Sequence, residues 1–355
     1  MAPPPLLVDP EVEYRVILPE DRSQQAYPID ETQDVDAICR VTAYHRDDFD
    51  LVVVSRSQHR TDFLRMGLMG LILPVFWAAD LGTLEKLPVE ILMDIIRRLD
   101  FASVVRFLRV NRRARQVVAE LPEYSFVVTH GLDTVLGLFE VRLASRFSLA
   151  QLDAVIRIGN CLRCGQFAGY VFLPTLERCC LRCLDTAMDF EVLVLTDAKA
   201  EKLWNSDRNG SLPFLRTKPG YYTFHDKYAH ERGWLVPAKA VSPFIKFDRL
   251  TRFFRYMAAT AQPHVTGRGH DVLVQRGIYC KSCLASVEKR VHAAGNSPDI
   301  PPLSCRVFSQ EEYIKHFQWC RGAQAMWEAS AGGTLPVEEP KLTRQRGAFR
   351  YRDFD

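Results

Sequence analysis

The sequence predicts an α+β protein in which a small three-helix module precedes a mixed region of helices and short strands. Over residues 84–122, apolar side chains recur at the spacing of amphipathic helices. Short apolar stretches follow, such as Val192 to Leu195, and turn residues bound them. Cysteine pairs of the form Cys-x2-Cys occur beyond the module. The 355 residues are enough for two or three packed units.

The three helices of the module have recognisable ends. Pro88 suits the first position of a helix, because its φ is already helical and its missing N–H is not needed there. Asp100 can cap the second helix, and Asn111 can cap the third. Pro122 ends the third helix. The module is too small to bury much apolar surface alone, so it is expected to pack against a neighbouring domain or a partner protein.

The module, LEKLPVEILMDIIRRLDFASVVRFLRVNRRARQVV, resembles the F-box. The matching features are its Leu-Pro start, the apolar spacing of the helices and the basic pair that follows. In that family, the Leu-Pro start and the apolar residues dock on the Skp-type adaptor of a cullin–RING ubiquitin ligase. The resemblance therefore implies an adaptor-binding set of apolar side chains left exposed on the free chain: Leu87, Pro88, Ile91, Leu92, Ile95, Ile96, Leu99, Val104, Phe107 and Val110.

A first set of four cysteines has the spacing of a zinc site. Cys161, Cys164, Cys180 and Cys183 form the pattern Cys-x2-Cys-x15-Cys-x2-Cys. Zinc takes four ligands in a tetrahedron, and each Cys-x2-Cys turn presents two sulfurs on one side of a loop. Gly165 follows the first turn, where a residue free to adopt positive φ is needed. Cys179 lies directly before Cys180 in the sequence, so it is an alternative to Cys180 as the third ligand.

A second set lies nearer the C-terminus. Cys280 and Cys283 form another Cys-x2-Cys turn, and His316 and Cys320 follow at i, i+4 spacing on a predicted helix. Together they indicate a three-cysteine, one-histidine zinc site. Cys305 is an alternative to either late ligand, and ligand pairs exchanged between the two sites are a further alternative.

Zinc is accordingly the expected cofactor, in a structural role. Catalytic zinc keeps one coordination position open, whereas each set here already offers four ligands. The first set lies in the stretch CLRCGQFAGYVFLPTLERCCLRC. This stretch is similar to the cysteine-rich region of some fungal F-box proteins.

The remaining elements are predicted from local patterns. Tyr124 to Thr129 is predicted as a strand, and two helices follow it. Ser148 and Gln151 form a capping box at the start of the second. Asp248 to Ala261 is predicted as an amphipathic helix, with its arginines, Arg249, Arg252 and Arg255, on a solvated face.

The expected domains follow from these elements. Residues 1–80 are expected to be irregular, with a strand-like stretch at Leu51 to Val54, and residues 84–122 form the F-box-like module. Residues 123–331 form the zinc-stapled region, where Val272 to Tyr279 is a strand and a helix runs from a capping box at Ser309 to about Ala329. Residues 332–355 form a disordered tail.

The composition indicates which partners and which cellular compartment to expect. A formal net charge of +3 is too small to argue for nucleic acid. Ten cysteines without a secretory leader indicate a reducing compartment, so the cytoplasm or nucleus is expected. The apolar run from Met66 to Ala79 is too short to span a bilayer. Phosphate-binding loops and serine-hydrolase motifs are absent from the sequence.

The leading hypothesis is a non-enzymatic substrate receptor of a cullin–RING ubiquitin ligase, which binds a Skp-type adaptor and an unknown target protein. One alternative is a zinc-dependent nucleic-acid binder that uses basic residues around Arg249 and Arg276. Another is an enzyme with a cysteine nucleophile, which needs an accessible thiol of depressed pKa.

Overall fold

The computed structural model describes residues 26–29, 34–45, 53–54, 80–207, 210–222, 227–229, 233–241, 252–267, 271–286 and 306–344. The chain divides into two compact units. Unit 1 joins Met1–His45 to Ile278–Ser304 and Phe308–Arg346, so it is built from both ends of the sequence. Unit 2 comprises Arg46–Gly277, Cys305–Val307 and Gly347–Asp355.

The described elements confirm the α+β class. The α-helices are α1 Val35–Thr42, α2 Val89–Arg98, α3 Phe101–Leu108, α4 Arg112–Ala119, α5 Pro122–His130, α6 Leu132–Glu140, α7 Leu149–Arg157, α8 Leu181–Thr186, α9 Asp197–Ser206, α10 Ala238–Val241, α11 Gln310–Phe317, α12 Arg321–Ala329 and α13 Lys341–Arg344. The strands are β1 Ala43–Tyr44, β2 Tyr170–Phe172, β3 Glu177–Cys179, β4 Val192–Leu195, β5 Leu215–Arg216, β6 Gly220–Tyr222, β7 Lys227–Ala229, β8 Trp234–Pro237, β9 Ala259–Ala261, β10 His264–Thr266, β11 Leu273–Gln275 and β12 Tyr279–Cys280. Short 3₁₀ helices span Gly82–Lys86, Met188–Phe190 and Arg252–Ala258.

The helical part of unit 2 begins with the predicted module. The side chains of Asp100 and Asn111 accept hydrogen bonds from backbone N–H groups in the first turns of α3 and α4, as the sequence predicts. The capping box of Ser148 and Gln151 opens α7. Helix α7 packs against α2 and α5, so the module is supported by the helices that follow it.

The predicted strand from Tyr124 to Thr129 is wrong, because these residues lie in helix α5. Pro122 occupies the first turn of this helix, where it does not interrupt the hydrogen bonding. Tyr124, Phe126, Val127 and Val128 are all buried. A helix that is buried on several sides has an apolar run without helical period, and such a run resembles a strand in sequence.

Three-stranded antiparallel sheets organise the rest of unit 2. Strand β2 lies between β3 and β9, and β8 lies between β4 and β5. Two further pairs, β6 with β7 and β10 with β11, are also antiparallel. Helix α6 packs on β9, which connects the helical part to the sheet of β2.

The predicted helix from Asp248 to Ala261 is also wrong for its described residues. Residues 252–258 form a 3₁₀ helix, and Ala259–Ala261 is strand β9; residues 248–251 lie outside the described residues. Arg255 is buried, not solvated. Its guanidinium donates to the Asp185 carbonyl at 2.5 Å and to a Glu191 carboxylate oxygen at 2.7 Å. A buried arginine is tolerated because these acceptors satisfy its N–H groups.

Unit 1 has its own core around helix α1. Ile38 of α1 is buried in a cluster with the nearby Ala37 and Ala43 and with residues far along the chain, namely Cys280, Phe308, Tyr313, Phe317, Ala323 and Trp327. The Tyr313 hydroxyl donates to the Thr42 hydroxyl at 2.8 Å. Strand β1 pairs with β12, with Ala43 opposite Cys280.

The structure differs from two expectations about the ends of the chain and from one about an internal strand. The segment 1–80, expected to be irregular, contains α1 and β1. The tail 332–355, expected to be disordered, contains α13. Glu339 of the tail also pairs with the buried Lys281 at 2.5 Å. The strand expected over Val272 to Tyr279 is two strands, β11 and the start of β12.

Two other predictions concern the N-terminal segment. The strand-like stretch at Leu51 to Val54 is described only for Val53 and Val54, which are buried and form a bend. The apolar run from Met66 to Ala79 lies outside the described residues. Within the described part of the chain, each helix is too short or too polar to cross a bilayer.

The burial of Ile38 in unit 1 leads to a stability prediction. Replacing Ile38 by Ala should lower the free energy of unfolding by about 2–5 kcal/mol, because the core loses apolar contacts and gains a cavity. The same substitution at the exposed Ile91 should cost about 0.5 kcal/mol or less. Urea unfolding followed by circular dichroism measures both. Equal losses in the two variants would show that α1 does not contribute to a folded core.

Candidate metal centres and an exposed helical face

The first centre is a cluster of four thiols in unit 2, formed by Cys161, Cys164, Cys180 and Cys183. Their sulfur atoms all lie within 4.8 Å of one another. The sulfurs of Cys164 and Cys180 are 3.6 Å apart. Zinc with Zn–S bonds of about 2.3 Å at tetrahedral angles separates its sulfurs by about 3.8 Å. The cluster therefore has the donors and the spacing of a four-thiolate zinc site.

Local hydrogen bonds shape the two turns of this cluster. The Cys161 N–H donates to the Gln166 carbonyl at 2.7 Å, and the Gly165 N–H donates to the Cys161 carbonyl at 2.9 Å. Gly165 has φ of +72°, as the sequence predicts, because the turn enters the left-handed region. In the other turn, the Cys183 N–H donates to the Cys180 sulfur at 3.4 Å, which caps helix α8.

The second centre, in unit 1, is formed by Cys280, Cys283, His316 and Cys320. The Cys320 sulfur lies 3.8 Å from the sulfur of Cys280 and 3.9 Å from that of Cys283. Nε2 of His316 is 3.5 Å from the Cys283 sulfur, close to the separation of about 3.6 Å for nitrogen and sulfur on one tetrahedral zinc. Phe308 stacks on the imidazole with ring centroids 4.8 Å apart, which orients this donor.

His316 and Cys320 do not share one helix, in contrast to the prediction. Helix α11 ends at Phe317, and Cys320 is the N-cap of α12. The two side chains nevertheless reach the same cluster, since both belong to the four donors that lie within 4.8 Å of one another. The Gln324 amide donates to the carbonyls of Phe317 and Gln318 at 3.0 and 2.9 Å, so it satisfies acceptors at the break.

The pKa values of the thiols differ within each cluster. The pKa of Cys161 lies below its usual value because the thiols of Cys164 and Cys180 hydrogen-bond to its sulfur. The pKa of Cys180 is raised, mainly because its own thiol hydrogen-bonds to Cys161. In the second cluster, the pKa of Cys320 is lowered by hydrogen bonds from Cys280 and Cys283. Zinc binds thiolates, so a bound ion would displace the protons that these sulfurs share.

The geometry also decides between alternative ligands. The buried Cys179 lies in β3 and stands outside the cluster that Cys180 joins. The ligand pairs are not exchanged between the two sites, since each cluster combines its own predicted pairs. Cys305 lies outside the described residues.

Sequence reasoning missed Arg178, which supports the first centre. This arginine is fully buried, and its guanidinium donates to the carbonyls of Ala168 and Gln262, each at 2.6 Å. It thereby connects β3 to residues beside β2 and β9. Burial lowers its pKa to about 10. The sequence contains no signal for this role, because an arginine on a short strand is more often exposed.

A separate feature of unit 2 is an exposed apolar face at the start of the helical module. Ile91 is 48% exposed and Ile95 is 42% exposed, one turn apart on α2. The face continues through Leu84, Leu87 and Val89. Contiguous exposed apolar side chains of this kind mark interaction surfaces.

The structure divides the predicted adaptor-binding set. Leu92, Ile96 and Val104 are buried within unit 2, so the expectation that they are exposed on the free chain is wrong. They lie on the inner faces of α2 and α3, where they hold the helices together. Leu99 and Phe107 are half-buried. The exposed members are Leu87, Pro88, Ile91, Ile95 and Val110.

Residues 84–126, which include this face and helices α2 to α4, match the family model of the F-box domain. The chain carries an F-box domain. The match confirms the resemblance that the Leu-Pro start and the helical spacing indicate. No curated protein and no solved structure matches the chain. The comparisons thus identify the F-box and leave the function of the regions around it to be inferred from their geometry.

The first metal centre is tested by two neighbouring cysteines. The zinc-loaded protein should contain two zinc ions per chain, and Cys180→Ala should contain one, because three thiolates bind zinc more weakly than four. Cys179→Ala should retain both ions. Metal analysis by mass spectrometry of purified protein measures the content. Retention of two ions by Cys180→Ala would contradict the assignment.

The second centre has its own matched pair in unit 1. Cys320→Ala should lose one zinc ion, whereas Cys39→Ala should keep both, since Cys39 lies outside the cluster. Titration of zinc released by a thiol-specific reagent counts the ions. If Cys39→Ala also loses an ion, the four donors assigned to this centre are incorrect.

Proposed function

We propose that the protein is a substrate-receptor subunit of a cullin–RING ubiquitin ligase. The observation that carries the proposal is the F-box domain, with apolar side chains exposed on α2. An F-box domain supports this role in general, through binding of a Skp-type adaptor.

The exposed face has the properties of a protein-binding surface. Leu84, Leu87, Ile91 and Ile95 are each at least one-third exposed in the free chain. Full burial of a leucine or isoleucine side chain contributes about 1.5–3 kcal/mol. Several such side chains offset much of the entropy that two proteins lose on association. The buried Leu92, Ile96 and Val104 keep the surface rigid, so little ordering is needed on binding.

The rest of the chain would hold the target protein. Short strands and a four-donor cluster are present in each of the two units. The mechanism is tethering, which raises the effective concentration of a target lysine near a charged conjugating enzyme. The chain itself performs no bond chemistry in this proposal. Its place of action is the cytoplasm or the nucleus, where F-box partners are expected.

The alternatives gain little support from the described residues. Of the two arginines named for nucleic acid, Arg249 lies outside the described residues and Arg276 is exposed. Arg255, in the same basic stretch as Arg249, is buried and paired with Glu191. For a cysteine nucleophile, a depressed pKa is needed. The described thiols with a lowered pKa are members of the two four-donor clusters. Outside the clusters, burial raises the pKa of Cys39 to about 11 and also raises that of Cys179.

Adaptor binding is the decisive test. Leu87→Asp should weaken binding of a purified Skp-type adaptor at least about thirtyfold, because a carboxylate would be buried in an apolar interface. Leu273→Asp introduces the same change at an exposed site on β11 and should bind as the wild type does. Isothermal titration calorimetry gives both affinities. If wild type and Leu87→Asp bind equally, or if neither binds, the proposed function is wrong.

A further inference from the structure

The turn between α3 and α4 of the F-box forms a cationic corner, defined by Arg106, Arg109 and Arg112. All three side chains are exposed. Among the described residues, none of the three pairs with a carboxylate. Two other arginines of the domain are neutralised, since Arg97 pairs with Asp94 and Glu123, and Arg113 pairs with Glu85. The positive charge of the corner is therefore not compensated within the described part of the fold.

An exposed apolar side chain lies in the same turn. Val110 is 65% exposed, directly between Arg109 and Asn111. The turn is held in place because the Arg109 N–H donates to the Arg106 carbonyl and the Val110 N–H donates to the Phe107 carbonyl, each at 3.0 Å. An ordered apolar centre with charges around it resembles the core and rim of a protein interface.

Hydrogen bonds join this corner to the exposed apolar face. The Asn111 side-chain amide donates to the Asp80 carbonyl at 2.7 Å, and Arg113 Nε donates to a Glu85 carboxylate oxygen at 3.1 Å. Both acceptors belong to the chain segment that carries Leu84 and leads to Leu87. The corner and the apolar face are thus adjoining parts of one surface.

We propose that the cationic corner is the charged rim of the adaptor-binding face, and that the adaptor presents carboxylates opposite Arg109 and Arg112. This inference rests on the proposed function and specifies the chemistry of the partner. Phosphates of a nucleic acid would also match the guanidinium groups. The adjoining Val110 and Leu84 favour a protein, because a phosphate backbone offers no apolar surface to cover them.

Charged rims act mainly on the rate of association. Exposed charges attract over about 8 Å at physiological ionic strength, which speeds the encounter of oppositely charged proteins. Salt should therefore slow association of the wild-type protein with the adaptor. The apolar face should govern dissociation, since its contacts form only in the docked complex.

The test uses a double charge reversal and a matched control. Arg109→Glu with Arg112→Glu should slow association with a purified Skp-type adaptor about tenfold to a hundredfold and weaken its salt dependence. Lys199→Glu with Lys202→Glu makes the same change in net charge on exposed positions of α9 and should bind as the wild type does. Surface plasmon resonance from about 50 to about 500 mM salt gives both rate constants. Circular dichroism confirms that the variants are folded.

The outcomes separate this inference from the proposed function. Suppose that the adaptor binds the wild type but not Leu87→Asp, and that the two charge-reversal variants bind it at the same rate. The proposed charged rim is then wrong, and the proposed function is still supported. If the wild type does not bind the adaptor, both are wrong. A labelled DNA duplex of about 20 base pairs is a third probe. Duplex binding by the wild type that Arg109→Glu with Arg112→Glu abolishes, without a change in adaptor binding, would assign the corner to nucleic acid and overturn the proposal.

Discussion

The convergence of seven thiols and one imidazole on two points is the constraint on which the architecture depends. The described strands contain two to four residues each, and such strands make few hydrogen bonds and bury little apolar surface. Four sulfurs, or three sulfurs and an imidazole, within 4.8 Å are held together most stably by a cation that binds them all. Metal binding would therefore contribute free energy of folding that the short strands cannot supply. An ion in the first cluster would fix β3 and α8, and an ion in the second would fix β12 against α11 and α12.

Within unit 2, the F-box and the first centre are connected through packed elements. Helix α7 packs on α2, and the Arg157 carbonyl at its end lies 3.2 Å from Nε2 of His264 in β10. The Arg157 guanidinium also lies over the Phe126 ring of α5, 3.6 Å from its centroid. These contacts join the F-box helices to the sheets beside the thiol cluster. A target held by unit 2 would thus be presented in a fixed geometry relative to the adaptor.

The features that were predicted correctly are those decided by a few neighbouring residues. Caps at Asp100, Asn111, Ser148 and Ser309 satisfy nearby N–H groups, so their signal is local. Both donor sets were predicted from spacing and chemistry.

The wrong predictions concern features that depend on residues distant in sequence. The sequence around Ile38 does not show that α1 packs with residues beyond 307, and the burial of Arg255 depends on acceptors near Glu191. The break in the helix between His316 and Cys320 was likewise not predicted.

The composition of unit 1 from both ends of the chain has a consequence for protein synthesis. Thr42 and Tyr313, which share a hydrogen bond, are 271 positions apart. At about 5–20 residues per second, α1 leaves the ribosome some tens of seconds before its packing partners are made. During that interval Ile38 has no completed core to enter, while the whole of the F-box has already emerged. Chaperone protection of the nascent α1, or early capture of the F-box by its adaptor, would then influence how much of the chain matures.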